Sequence, residues 1–167
     1  DCGRGIHLPI DTIRAMAGRA RFVPVVIDRH GVVIRQGRPV PTLDQLRDSL
    51  TTPVSLHAGR SRRFATRDQR RALRAMYRTC GHPDCTTPFS ACKAHHIRWW
   101  WRDLGPTDLE NLIPLCEKHH HLVHEGGWTL TMTPDRIATW TRPDGIIADH
   151  GNTTDRTGAP HDPLPNR

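Results

Sequence analysis

The chain has 167 residues, of which 36% are hydrophobic and 25% charged, with 14 prolines and 13 glycines. A chain of this length forms one compact domain, or a small domain with an appended segment, and so modest an apolar share excludes a large core. We therefore expect bound metal to add stability. The net charge of +7 comes almost entirely from arginine and indicates a polyanionic partner such as nucleic acid, although a basic surface also serves solubility.

Cysteine usage and the absence of long apolar runs indicate the compartment. Four of the five cysteines lie between Cys80 and Cys116 among histidines, which favours metal ligation over a secreted disulfide framework. No run of eighteen apolar residues occurs, and the N-terminus lacks the basic and apolar regions of a signal peptide. We expect a cytoplasmic protein with no membrane partner. Because the chain opens at Asp1 and not at Met, we expect it to be a piece of a longer polypeptide.

The N-terminal third is predicted to hold short elements only. Asp11 to Arg21 has a helical pattern, and Arg21 to Arg35 has the alternation and central turn of a hairpin. Thr42 to Ser49 is a second helical piece, followed by a connection of turn-forming residues. We place a domain boundary near Pro53, so that residues 1–53 are the end of an upstream domain.

A basic amphipathic helix is predicted to begin after Thr66. Gln69, three residues on, completes a capping box, and the helix should run to about Thr79. Leu73 and Met76 fall on one side of the helical wheel. The arginines that fall on the other side are Arg67, Arg70, Arg71, Arg74 and Arg78. This stripe fits a phosphate backbone, although a solvent-facing surface has the same pattern.

The C-terminal part is predicted to contain a hairpin and a tail. Trp128 to Met132 and Ile137 to Arg142 alternate as two strands joined by a Thr-Pro-Asp turn. Residues 151–167 are almost free of apolar side chains and are expected to be disordered. Trp99 to Trp101 form an unusual triplet, which either stacks on bases or covers a small core.

Two short cysteine elements have the spacing of a zinc site. Cys80 and Cys85 form the first, and Cys116 and His119 form the second. Tetrahedral zinc typically takes two such pairs, and on a helix Cys116 and His119 would share a face. Cys92 is the remaining cysteine of the region; it either packs in the core or replaces one of these ligands.

A second set of histidines has the features needed for hydrolysis. His95 and His96 are adjacent, so on a strand they point to opposite sides, while His120 and His124 share a helix face. A phosphodiester resists hydrolysis because its charge repels nucleophiles and its alkoxide leaves poorly. A divalent ion counters both effects, and a neutral imidazole can deprotonate the attacking water.

Several segments resemble the signature of the HNH (ββα-metal) endonucleases: His95-His96-Ile97, Thr107 to Leu112 and Leu115 to His120. The Cys80 to Cys85 element and Leu122 to Trp128 narrow the resemblance to bacterial proteins of the 13E12-repeat type, which usually carry an uncharacterised domain upstream. The resemblance implies an α+β fold, with a zinc-stabilised ββα-metal core, flanking helices and short hairpins in residues 54–150. In relatives this loop usually contains Gly-Gly where this chain has Asp103-Leu104-Gly105.

The resemblance also implies roles. His96 matches the general base, and Asn111 matches an asparagine that braces the metal loop or touches the ion. The implied ligands of a catalytic ion are His95, His120 and His124, and those of a structural zinc are Cys80, Cys85, Cys116 and His119. Spacing does not settle which of His119, His120 and His121 serves which ion. The imidazole-rich set favours Zn²⁺, Ni²⁺ or Mn²⁺ over Mg²⁺, and the catalytic ion is expected among these four.

The expected function is therefore metal-dependent endonucleolytic hydrolysis of DNA. We expect the DNA to be double-stranded. The arginine stripe, with Arg98 and Arg102, is expected to hold the DNA backbone without reading its sequence. Two alternatives remain open. One is a non-catalytic, zinc-dependent nucleic-acid-binding module, and the other is a nuclease that uses the same residues to cleave RNA.

Overall fold

The computed structural model describes residues 20–152, together with residues 9, 11, 12 and 18. These residues form a mixed α+β structure with three α-helices and three small antiparallel sheets. No helix in this part of the chain has the length and apolar character needed to cross a membrane. Most of the helix predicted over Asp11 to Arg21 and most of the predicted tail lie outside the described residues.

The predicted N-terminal hairpin is confirmed. Strand β1 (Val25–Ile27) pairs with β2 (Val33–Gln36), and the Asp28 carboxylate closes the turn by accepting hydrogen bonds from two backbone N–H groups. Helix α1 spans Leu46–Thr51, so it begins four residues later than the pattern starting at Thr42 predicted.

The predicted capping box is present at the start of α2 (Arg67–Met76). Thr66 and Gln69 exchange hydrogen bonds of 2.8 and 3.1 Å, which satisfy two N–H groups that a helix start leaves open. Leu73 and Met76 are fully buried, as predicted. The helix ends three residues earlier than expected, because Thr79 pairs with Pro88 and the extended chain there leads Cys80 into its cluster.

The centre of the fold is a two-stranded sheet followed by a helix. Strand β3 (Lys93–His96) pairs with β4 (Leu112–Leu115), and α3 (Glu117–His124) follows directly and packs on both strands. All four residues of β4 are buried. They form the core with the apolar side of α2 and with Val123 and Trp140. Burial of β4 therefore fixes β3 and α3, which carry six of the twelve histidines of the chain.

The C-terminal sheet has one strand more than predicted. Strands β5 (Thr129–Met132) and β6 (Ile137–Thr141) form the expected hairpin, and β7 (Ile147–Asn152) pairs with β6. The strand includes the first two residues of the predicted tail, because backbone pairing along an edge requires no apolar side chain. Arg136, in the β5–β6 turn, is buried and donates hydrogen bonds to Tyr77 Oη and to two backbone carbonyls.

Candidate active site and metal centres

Cys80, Cys85, Cys116 and His119 form a cluster whose geometry fits a tetrahedral metal ion. Their ligand atoms all lie within 4.8 Å of one another. Cys80 Sγ and Cys116 Sγ lie 3.4 and 3.3 Å from His119 Nδ1, and Cys85 Sγ lies 3.8 Å from Cys116 Sγ. Zinc bonds of about 2.3 Å to sulfur and about 2.0 Å to nitrogen place tetrahedral ligands about 3.5 to 3.8 Å apart. The cluster could therefore bind a metal such as zinc.

Burial shifts the pKa values of two candidate ligands in this cluster. Burial raises the pKa of the Cys80 thiol, so a thiolate there needs a cation for compensation. Burial also lowers the pKa of His119 to about 4, which keeps its imidazole neutral and able to donate a lone pair. Cys92 lies outside the cluster, buried, with its Sγ 3.5 Å from the carbonyl oxygen of Pro88, which fits the packing role.

His82 is a member of this region that sequence reasoning missed. Its ring stacks on that of His119, with centroids 4.0 Å apart and planes at 9°, and its Nδ1 lies 3.7 Å from an Asp149 carboxylate oxygen. The His82 side chain is only 15% exposed, so it is not a surface residue. Only the fold reveals the contact, because it joins the cysteine loop to β7, the strand that the sequence pattern did not predict.

A second cluster consists of His95, His120 and His124. Their candidate ligand atoms also lie within 4.8 Å of one another, and their ring centroids are 4.4 to 5.3 Å apart. His95 Nε2 is buried and has no hydrogen-bond partner among the described residues. Burial, then the neighbouring His124 and His120, lowers the pKa of His95 to about 3. A neutral imidazole with an unsatisfied buried nitrogen facing two others fits a divalent-ion site.

His96 points away from this cluster, as the alternation of a strand predicts. Its Nε2 lies 2.8 Å from Thr107 Oγ1, and the Thr107 hydroxyl donates to the carbonyl oxygen of Arg63 at 3.2 Å. When the hydroxyl donates its proton to Arg63, its oxygen accepts from His96 Nε2–H, and Nδ1 is then the nitrogen with a free lone pair. Burial, followed by the charges of Arg63 and Arg60, lowers the pKa of His96. The ring is thus neutral near pH 7.

Asn111 braces the loop between β3 and β4. Its side-chain oxygen accepts from the Arg98 N–H at 2.8 Å, and its amide donates to the carbonyl oxygens of Arg98 and Pro106. The side chain thus bonds three backbone groups of this loop. Gly105 is part of the same loop, and a Cβ atom there would overlap the carbonyl oxygen of Arg98.

The three-histidine cluster and His96 line one cleft of about 880 Å³. Its basic side chains are Arg63, Arg70 and Lys93. Of the seven arginines predicted to bind nucleic acid, Arg70 lies at this cleft. Two others are engaged by carboxylates, since Arg71 bonds Asp68 and Arg102 bonds Asp103. The remaining four are solvent-exposed and lie outside the lining: Arg67, Arg74, Arg78 and Arg98.

Comparison with known proteins gives relatives without a known function. No protein-family model and no solved structure matches the chain. The uncharacterised protein Rv1702cMb1728c of Mycobacterium tuberculosis is 32% identical over 91 residues, which is 54% of this chain and 19% of that protein. The uncharacterised proteins Rv2100 and Rv3776 of the same organism are each 40% identical over 68 residues, 40% of this chain and 12% and 13% of theirs. The chain thus spans less than a fifth of these relatives.

Proposed function

We propose that the chain is a metal-dependent endonuclease of the HNH kind that hydrolyses phosphodiester bonds in DNA. One observation carries the proposal: neighbouring residues of β3 present two different groups to one cleft. His95 belongs to a three-imidazole ligand set, and His96 is a neutral histidine whose Nδ1 accepts protons. The succession β3, β4, α3 agrees with the ββα-metal core that the sequence resemblance implies.

The chain's own residues divide the work of hydrolysis. His96 Nδ1 removes the proton from a water molecule as its oxygen attacks phosphorus and the bond from phosphorus to the leaving oxygen breaks. The leaving oxygen takes up a proton from solvent, and the imidazolium returns its proton to solvent. The Thr107 hydroxyl holds Nε2–H and so keeps Nδ1 directed at the water. His95, His120 and His124 would hold a divalent ion, which supplies neutralisation of the phosphate charge and stabilisation of the leaving oxygen. Candidate ions are Mg²⁺, Mn²⁺, Ni²⁺ and Zn²⁺.

Helix α3 connects the two proposed metal sites. Successive residues of a helix are rotated by about 100°, so His119 can serve the cysteine cluster while His120 faces the other histidines. We assign a structural zinc to Cys80, Cys85, Cys116 and His119. His121 serves neither ion in this assignment, since its ring is exposed and pairs with Glu125 at 3.3 Å. Metal binding by the cysteine cluster would thereby orient His120, the next residue of the helix, toward the other histidines.

Charge favours a nucleic-acid substrate. The net charge is +7, and Arg63, Arg70 and Lys93 flank the histidines in the cleft. Cations at these positions can hold the phosphates on either side of the bond to be cleaved, and such contacts carry no sequence information. We therefore expect cleavage that is sensitive to salt and weakly selective for sequence.

Plasmid cleavage tests the proposal. Supercoiled DNA is incubated with the protein and Mg²⁺, Mn²⁺, Ni²⁺ or Zn²⁺, beside His96→Ala and a control, His30→Ala, in the β1–β2 turn. We expect nicking by the unmodified protein and by the control, and a rate at least about 100-fold lower for His96→Ala. No nicking with any ion, or equal nicking by His96→Ala, would overturn the proposal. Cleavage of RNA in place of DNA would overturn the substrate assignment.

A further inference from the structure

The three consecutive tryptophans occupy different environments. Trp99 lies against His124, with ring centroids 4.5 Å apart, and the Arg102 guanidinium covers it at 4.2 Å. Trp100 lies under the Arg60 guanidinium at 4.1 Å, and Arg60 also donates to the Trp100 carbonyl oxygen. Trp99 and Trp100 are therefore half-buried parts of the loop, whereas Trp101 is 70% exposed.

Trp101 has an exposed aromatic neighbour. Phe64 is 78% exposed, and the Arg63 guanidinium carbon lies 5.5 Å from the Phe64 ring centroid and 5.7 Å from that of Trp101. The two rings are thus joined through one cation, and all three side chains line the cleft that holds the histidines. We call Arg63, Phe64 and Trp101 the aromatic clamp. Exposed rings beside a cation are suited to a ligand that has both a π-face and a negative charge.

The aromatic clamp is connected to the candidate general base by two hydrogen bonds through Thr107. The carbonyl oxygen of Arg63 accepts the hydrogen bond of the Thr107 hydroxyl, and that hydroxyl holds His96 Nε2. A nucleotide bound by the clamp therefore lies beside the place where its backbone would be cleaved. This connection makes the clamp part of the substrate site and not a separate surface patch.

We propose that the aromatic clamp binds an unpaired base of DNA, with the base held by the rings of Phe64 and Trp101 and the Arg63 guanidinium on the adjoining phosphate. In a continuous duplex neighbouring bases cover each base face, so the rings would meet only edges and sugars. An unpaired base exposes its face, and stacking tolerates any base. The preferred substrate is then single-stranded, bulged or flapped DNA, in place of the fully paired duplex expected from sequence. This inference rests on the proposed DNA-cleaving function.

Binding without cleavage tests the clamp. Fluorescence anisotropy without added divalent ion compares a single strand, a duplex with one bulged base and the fully paired duplex. We expect the first two to bind more tightly than the paired duplex. Phe64→Ala and Trp101→Ala should each weaken binding to the bulged DNA by about 5- to 150-fold. Ile146→Ala, an exposed apolar side chain outside the cleft, is the matched control and should bind as the unmodified protein does.

A fluorescent base analogue gives a second readout. With 2-aminopurine at the bulge, stacking on an aromatic ring should quench its emission, and both clamp variants should restore it. Equal affinity for bulged and paired DNA, or unchanged quenching in both variants, would overturn the clamp. Plasmid cleavage is measured separately. Cleavage without a preference for unpaired bases refutes the clamp alone, and the preference without cleavage by any ion refutes the nuclease proposal alone.

Discussion

Replacement of Thr107 with valine should slow DNA cleavage without unfolding the protein. The Thr107 side chain is fully buried, and valine has nearly the same shape. The replacement removes the hydroxyl that accepts from His96 Nε2–H and donates to the carbonyl oxygen of Arg63. The imidazole then loses the contact that fixes its tautomer and its orientation, and water has little access to replace the hydroxyl.

The magnitude follows from the burial of the lost contact. Leaving a buried donor without its acceptor costs about 1 to 3 kcal/mol, and each 1.4 kcal/mol or so changes a rate about tenfold. We therefore expect the rate of the chemical step to fall by roughly 5- to 150-fold. Substrate affinity should change little, because Thr107 does not line the cleft.

Single-turnover nicking of plasmid DNA, at saturating protein and metal, measures this step. Thr107→Ser keeps the hydroxyl and should restore most of the rate, and circular dichroism confirms that all three proteins fold. A Thr107→Val rate equal to that of the unmodified protein would refute the reasoning. A serine variant as slow as the valine variant would also refute it, since the effect would then come from packing.

Three further predictions concern stability. Arg136→Gly relieves a backbone held at φ 64° but removes the hydrogen bonds from the guanidinium to Tyr77 and to two backbone carbonyls. Urea denaturation should show that the free energy of unfolding falls by roughly 3 kcal/mol. A rise in this free energy would contradict a stabilising role of the Arg136 side chain. Gly105→Ala should lower the free energy of unfolding by more than about 2 kcal/mol, because the added Cβ overlaps the carbonyl oxygen of Arg98. An unchanged free energy of unfolding would show that the loop can move to make room for the Cβ. In protein freed of histidine-bound metal, stability should decline as pH falls from about 6.5 toward 3, since the unfolded chain takes up a proton that buried His95 does not accept. The stability of His95→Asn should decline less steeply with falling pH than that of the unmodified protein. Parallel curves of stability against pH would show that buried His95 is not the cause of the decline.

Local sequence signals predicted the local structure. The Thr66 capping box, the Asp28 turn and the β5–β6 alternation each depend on residues a few positions apart, and all three elements are present. The β7 strand was not predicted, because its sequence is mostly polar and its pairing depends on an edge of β6 that only the fold provides.

The backbone conformation of Leu104 was not predicted either. Leu104 adopts a φ of 51°, a conformation that glycine would adopt at lower cost, and no local pattern predicts that choice.

Ligand grouping was predictable where spacing determines it. His120 and His124 share a helix face, and the alternation of β3 separates His95 from His96. The meeting of His95 with the two helix histidines does not follow from these periodicities; the sequence resemblance implied it, and the fold brings the three together. The contacts of Thr107 and of Arg63 with this site were not predictable. Each joins segments more than ten residues apart, and nothing in their local sequence marks them. Arg71 and Arg102 were predicted to bind phosphate, but nearby carboxylates engage them.

The central claim is that α3 serves two metal ions, one held by cysteines and one by histidines. Equilibrium dialysis of the chain against Zn²⁺ or Mn²⁺, followed by elemental analysis, measures it most directly. We predict two ions per chain, of which the weaker is lost in His95→Ala and His120→Ala, while the tighter is lost only when Cys116 is replaced by serine. One ion per chain, unchanged in both histidine variants, would contradict the claim and favour a non-catalytic zinc module.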